Sequence, residues 1–218
     1  MKQILFYSWF VEAVIGWNSR NLALKISWTK VNKPRKLEIL FNLAPVSETR
    51  YIQNQQHYTE VIKLITSVKQ MLWIGTADLK DLYVKRGDQT LPLLAIIADL
   101  IKRGVLVRLI HAKEPGPNFR TDFDKYPVLW KSMERMLCPR VHFKLLLFDN
   151  QIAYIGSANL TGAGLGLKSE NKRNFESGIL TNEPALVYAA ADQFDQVWIG
   201  IHCKKCLRKA FCGDRIVE

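Results

Sequence analysis

The segment VHFKLLLFDNQIAYIGSANLTG, Val141 to Gly162, brings a histidine, a lysine, an aspartate, a serine and an asparagine into one short stretch. His142 and Lys144 lie two apart on an apolar run that reads as a strand. Period-two alternation then puts them on one face with Leu146, while Phe143, Leu145 and Leu147 point into the opposite apolar layer. An imidazole serves as nucleophile or general acid near neutral pH, and an ammonium beside it is a point charge suited to a phosphate oxygen. Ser157 and Asn159 stand where a second strand ends in the glycine-containing turn GSANLTGAGLG. Hydroxyl, amide and backbone N–H donors can converge there on one anion. The set suits phosphoryl transfer and lacks a carboxylate cluster for a catalytic divalent metal. Glu176, on the following strand, is expected to hydrogen-bond the second nitrogen of His142 and fix its tautomer.

These residues need a scaffold, and the chain supplies one from Gln56 onward. Tyr58, Val61, Ile62, Ile65 and Val68 recur at helical spacing, and MLWIGTA (Met71 to Ala77) reads as a buried strand. TLPLLAIIADLIKRG predicts a helix from Thr90 with Gly104 placed to stop it. VLVRLIHA (Val105 to Ala112) is the next strand, followed by the loop EPGPN. Its IHAK echoes the His-x-Lys pair without the later aspartate, so His111 reads as a strand-end residue. A helix is expected over Phe123 to Met136, then strands over Val141 to Asp149, Ile152 to Ser157 and Glu176 to Thr181. The last helix runs from Pro184 to Trp198, with Asn182 before it and proline at its start. Helices alternating with strands, then strands joined directly, predict an α/β fold with a mixed sheet covered on both faces. The expected divisions are a basic N-terminal extension over 1–52, whose one strand-like segment is WTKVNKPRKLEILF, a catalytic domain over 53–200 and a cysteine-rich tail over 201–218.

The string His142-x-Lys144, Asp149, Gly156-Ser157-x-Asn159 resembles the HKD motif of the phospholipase D superfamily with no position missing, and the resemblance extends over roughly residues 56 to 215. It implies an α-β-α fold and a two-step phosphodiester transfer through a phosphohistidine, without a divalent metal. In that scheme His142 is nucleophile or acid, Lys144 and Asn159 grip the phosphoryl oxygens, Ser157 assists, Asp149 is mainly structural or electrostatic, and Glu176 orients His142. Two-motif phospholipases carry a second histidine within one chain. This chain has one complete copy and so resembles the single-motif branch, similar to small bacterial endonucleases that build one site across a homodimer.

At 218 residues and 48% apolar content the chain can bury one core of good size. Its net charge of +11 and pI near 9.6 point to a polyanionic partner. The stretch ILFYSWFVEAVIGW is fourteen residues long and carries Glu12, short of the roughly 20 that a spanning helix needs. No stable membrane insertion is expected, and the default compartment is the cytoplasm. The basic loop GLGLKSENKRN, with Lys168, Lys172 and Arg173, favours nucleic acid, DNA first, over a phospholipid. Two other classes stay open: a phospholipase or phosphatidyltransferase, and a nucleic-acid-binding subunit of a larger repair or defence complex.

The tail HCKKCLRKAFCGD places Cys203, Cys206 and Cys212 in a C-x2-C-x5-C spacing, and Cys138 stands four residues before His142. In a reducing compartment such thiols are free or metal-bound. Four thiolates suit an iron–sulfur cluster or zinc, and ligand type alone does not separate the two. The spacing resembles the iron–sulfur loops of endonuclease III-type DNA glycosylases and of some RecB-like nucleases, which favours a [4Fe–4S] cluster over structural zinc. Either centre would tie the tail to the segment leading into the catalytic strand.

Overall fold

Alternation of buried and polar residues along nine short strands and five helices produces a layered α/β fold, whose computed structural model describes residues 47–80 and 82–213. The expected N-terminal extension lies, up to residue 46, outside the described residues, as does its strand-like segment. The compact unit that follows begins at Ser47. Its elements are β1 (Thr49–Gln53), α1 (Gln56–Ser67), β2 (Met71–Thr76), β3 (Tyr83–Arg86), β4 (Gln89–Pro92), α2 (Leu93–Lys102) and β5 (Leu106–His111). Then come α3 (Pro117–Asp124), α4 (Pro127–Ser132), β6 (Glu134–Leu137), β7 (Lys144–Phe148), β8 (Ile152–Gly156), β9 (Ser177–Thr181) and α5 (Pro184–Trp198). No helix among the described residues is long and apolar enough to cross a membrane.

Seven strands form one mixed sheet in the order β1-β9-β8-β7-β2-β5-β6, and β3 and β4 make a separate hairpin. β2, β5 and β6 are parallel neighbours, whereas β7, β8, β9 and β1 are joined antiparallel. Both faces are covered, as the sequence predicts. On one face α1 to α4 contribute Val61, Ile65, Ile97, Leu100, Phe123 and Leu129 against Leu72, Ile74, Leu146 and Tyr154. On the other, Val187, Ala190 and Phe194 of α5 cover Leu145, Leu147 and Ala153. The alternation of Leu145 and Leu147 with Leu146 thus splits β7 between two cores.

Several expectations shift. The helix predicted from Thr90 starts at Leu93, because Gln89–Pro92 pairs with Tyr83–Arg86 as a hairpin. Pro92 cannot supply an N–H to a helix interior but fits at its edge. The expected stop at Gly104 holds, with φ at +89°. The second half of EPGPN is no loop, since Pro117 opens α3. The helix expected over Phe123 to Met136 breaks at Pro127 into α3 and α4, and its last residues form β6, an edge strand beside β5. Asn182 does not cap α5, whose N-cap is Glu183. Its side chain instead accepts the Glu48 N–H and steadies the approach to β1.

Between β7 and β8 the chain turns through Asp149 and Asn150, both in the left-handed region with φ near 52° and 53°. That geometry matches the twist of an antiparallel pair and tolerates these two residue types. The Asp149 carboxylate accepts the N–H groups of Lys69, Gln70 and Met71 at 3.0, 2.7 and 3.0 Å, tying the α1–β2 connection to the hairpin. Burial would raise this carboxyl, but the three N–H donors outweigh it and hold it below the ordinary value of 3.8. Its stabilisation is therefore fully present above that ordinary value and lost as pH falls through the lowered folded value. Asp149→Ala should cost about 2 kcal/mol near neutral pH in denaturant titrations, and the gap to wild type should close on acidification. A gap that persists in acid would place the effect elsewhere.

Candidate active site

Strand register assembles the site at one end of the sheet. Lys144, the first residue of β7, lies opposite Gly156, the last of β8, and Gly156 lies opposite Gly178 in β9. Ser157 and Glu176 therefore leave neighbouring strands at the same end. β2 runs antiparallel to β7, so its last residue, Thr76, arrives there as well.

His142 sits two residues ahead of β7, because the strand expected from Val141 begins only at Lys144. It is exposed, while its neighbours Val141 and Lys144 are buried. Phe143 packs inward over Gly75 of β2, its ring lying where a Cβ would stand. Only glycine admits that approach. The Lys144 ammonium donates to the His142 carbonyl at 2.8 Å and lies 3.5 Å from Nδ1. Lys144 is only 8% exposed. Burial pushes its ammonium below the usual lysine range, and the Glu176 carboxylate opposes that shift without cancelling it.

The expected bond from His142 to Glu176 is not made. Glu176 instead accepts the Ser157 hydroxyl through a short bond and the Asn174 side-chain amide at 2.9 Å. Topology supplies the reason: Glu176 precedes β9, which neighbours β8, whereas His142 belongs to the next strand over. Two bonds with Asn54 fix Glu176 further. Its N–H donates to Asn54 Oδ1 at 3.2 Å, and its carbonyl accepts the Asn54 N–H at 3.0 Å. Ser157 Oγ also accepts the Ser177 N–H at 3.0 Å.

Asn159 is oriented from β2. Its Oδ1 accepts the Asp78 N–H at 3.0 Å and lies 3.3 Å from Thr76 Oγ1, whose hydroxyl also accepts the Leu160 N–H at 3.2 Å. Among the described residues the Asn159 Nδ2 makes no hydrogen bond, leaving a donor for a ligand. Below the turn, Tyr154 Oη accepts the Ala158 N–H at 3.3 Å, and its buried ring crosses Gly156 and meets His57 edge-on at 5.6 Å. Burial pushes the Tyr154 phenol upward, so it remains neutral. The sequence reading does not single out Thr76, Asn54, Asn174 or Tyr154. Thr76 carries a faint signal as a polar residue closing the apolar run of β2, Asn174 meets Glu176 within its own segment, and Asn54 reaches the site only through the β1–β9 pairing.

The structure does not bring Asp149 to this cluster, since it lies beyond the opposite end of β7. Lys168, Lys172 and Arg173 stand on the excursion from Ser157 to Glu176, which is rooted in the site at both ends. Lys168 and Lys172 are exposed, and Arg173 is half-buried, 3.3 Å from Gln55 Oε1. All four cysteines line one cavity of about 660 Å³, with Arg140, Val141, Phe143 and His202 among its other walls. His111 is buried at the end of β5 with Nδ1 2.7 Å from the Lys113 carbonyl, the strand-end role that its sequence context suggests.

The family model for cardiolipin synthase, phospholipase D-like domain, matches residues 61–198, well over half of the chain. The chain belongs to this phospholipase D-like family. Its membership places it in a superfamily of phosphodiesterases, and the mixed sheet is the expected scaffold. Solved structures with a similar fold include NucT from Helicobacter pylori, at 16% identity and a TM-score of 0.53, covering 71% of this chain and 97% of that one. Another is Nuc from Salmonella typhimurium, a phospholipase D family member, at 16% identity and a TM-score of 0.52, covering 71% of this chain and 95% of that one. A search of curated proteins finds no match.

If Lys144 serves phosphoryl chemistry here, its ammonium has to be charged. Deprotonation as pH rises through its lowered value should remove activity, so the alkaline limb of kcat/KM on a simple phosphodiester should fall below the ordinary lysine value of 10.5. Lys144→Arg, lower in rate, should lose that limb because guanidinium stays charged. A limb that survives in the arginine variant would assign the titration to another group.

Proposed function

We propose that the protein is a metal-independent phosphodiesterase that cleaves DNA through a phosphohistidine at a site shared by two copies of the chain. The observation that carries this reading is the exposed His142, held by a buried lysine at the end of the sheet where Ser157 and Asn159 also lie. In the first step a nitrogen of His142 bonds to phosphorus while the bond to the leaving oxygen breaks. Lys144 and the free amide of Asn159 stabilise charge on the non-bridging oxygens. The leaving oxygen needs a proton while His142 is occupied, and His111, the nearby strand-end imidazole, is buried. The acid is therefore assigned to His142 of a second copy, most simply across a two-fold axis. Water then attacks the phosphohistidine, yields its proton to that second imidazole and frees the first. The Ser157–Glu176 pair steadies the turn that carries Asn159.

DNA is favoured over a phospholipid by the net charge of +11 and by exposed Lys168 and Lys172 on the excursion rooted in the site. Purified protein should cleave plasmid DNA in EDTA and leave phosphatidylcholine intact, and the reverse preference would overturn the substrate assignment. When wild type is mixed with His142→Ala and subunits exchange fully, activity at constant total protein should fall as the square of the wild-type fraction. A linear fall after verified exchange would abolish the shared site. Neutralising Lys168, Lys172 and Arg173 together should weaken binding about equally across sequences and flatten its salt dependence. An unchanged salt slope would remove the loop from the DNA path.

A further inference from the structure

The fold brings one thiol, Cys138, together with three clustered thiols from much later in the chain. Cys138 begins the link between β6 and β7, while Cys203, Cys206 and Cys212 lie beyond α5, yet all four face the same cavity of about 660 Å³. One wall is the segment from Cys138 to Phe143, and the other is the last turns of α5 with the tail. Reduced thiols serving only as small apolar residues have no reason to converge on an open cavity. We propose that Cys138, Cys203, Cys206 and Cys212 ligate a polynuclear iron–sulfur cluster in this cavity, and that the cluster braces the segment that presents His142.

A cavity of about 660 Å³ has room for a cluster core between the thiols. Zinc bonds sulfur at about 2.3 Å, which draws four tetrahedral ligands to within roughly 3.8 Å of one another and leaves no room between them. Among the described residues no group of three or more histidine, cysteine or acidic side chains is placed to hold a metal ion as it stands, so the thiols must close in on whatever centre they bind. A cluster interposes its own irons and sulfides, so each thiolate meets a different iron and the ligands stand further apart. Charge and hydrogen bonding also fit. Four thiolates make the ligated cluster anionic overall, and Arg140, Lys204 and Lys209 line the same cavity. The Arg208 N–H lies 3.4 Å from Cys206 Sγ, the kind of bond that tunes cluster sulfur.

The link to the active site runs through backbone. The Cys138 N–H donates to the His111 carbonyl at 2.9 Å, and the Cys138 carbonyl accepts the Val141 N–H at 3.0 Å, closing a turn one residue before His142. Val141 and Phe143, on either side of His142, both line the cavity. This consequence rests on the catalytic reading of His142. The cluster itself does not.

The test begins with metal content, which is independent of any nuclease assay. Full-length protein purified without oxygen should carry about four iron and four acid-labile sulfide per chain, with broad visible absorption. One zinc per chain without sulfide would overturn the cluster, as would no bound metal after incubation of the thiol form with ferrous iron and sulfide. Cys138→Ser and Cys206→Ser should each lose bound iron several-fold, while His202→Ala, which removes the other soft donor on the cavity wall, should retain it. Iron kept by Cys138→Ser, or lost in His202→Ala with an unchanged far-UV spectrum, would refute the ligand set. The wild-type content decides the matter even where a variant does not fold. Chelating the iron should speed amide exchange over residues 138–143, and unchanged exchange would refute the brace while leaving the cluster.

Discussion

The register between β7 and β8 is the constraint on which the rest of this protein depends. Lys144 pairs with Gly156, and from that pairing follow the positions of His142, Ser157 and Asn159. A slip of one residue would turn Lys144 toward α5 and bring a leucine to the mouth of the site. Both faces of β7 resist such a slip, because Leu146 belongs to one core and Leu145 and Leu147 to the other. A buried ammonium is costly unless it is partnered, and here it donates to the carbonyl of the residue it serves. Position and charge are thus set by the same contact.

The layer behind the site is fixed by a different physics. Arg108 lies between Trp73 and Trp198, 5.0 and 4.9 Å from their ring centres, and bonds Glu134 at 2.6 Å. Phe194 stacks on Trp73 at 5.0 Å. Together they join α5 to β2, β5 and β6, so the helix that covers Leu145 and Leu147 cannot shift without unstacking a cation from two aromatic faces. The cysteine-lined cavity opens just beyond this ladder, at the end of α5.

What the sequence disclosed follows from the range of the interaction involved. β2, β7, β8 and α5 carry strong local periodicity, and their types could be read directly. The β3–β4 hairpin and β6 could not, because their short segments resemble helix until a neighbouring strand claims them, as β5 claims Glu134–Leu137. The candidate residues form a legible string, since His142, Lys144, Ser157 and Asn159 lie close in sequence. Their supports were not. Thr76 reaches Asn159, and Asn54 reaches Glu176, only after strands distant in the chain have paired. The same reasoning places Glu176: its residue type suggests a partner for imidazole, and the order β9-β8-β7 sets it against Ser157.

The left-handed turn at Asp149 and Asn150 also orders events in time. Contacts between β7 and β8 start at Phe148 and Ile152, close in sequence, and zip outward to Lys144 and Gly156, so closing that loop removes little chain entropy, and such hairpins form within about 1–10 µs. The pairing of Thr49 with Thr181 has to gather nearly the whole compact unit. A nascent chain can therefore align Lys144 with Gly156 while the outer strands are still searching. The register of Lys144 on Gly156 is inherited by the late-forming sheet, which has only to close around it.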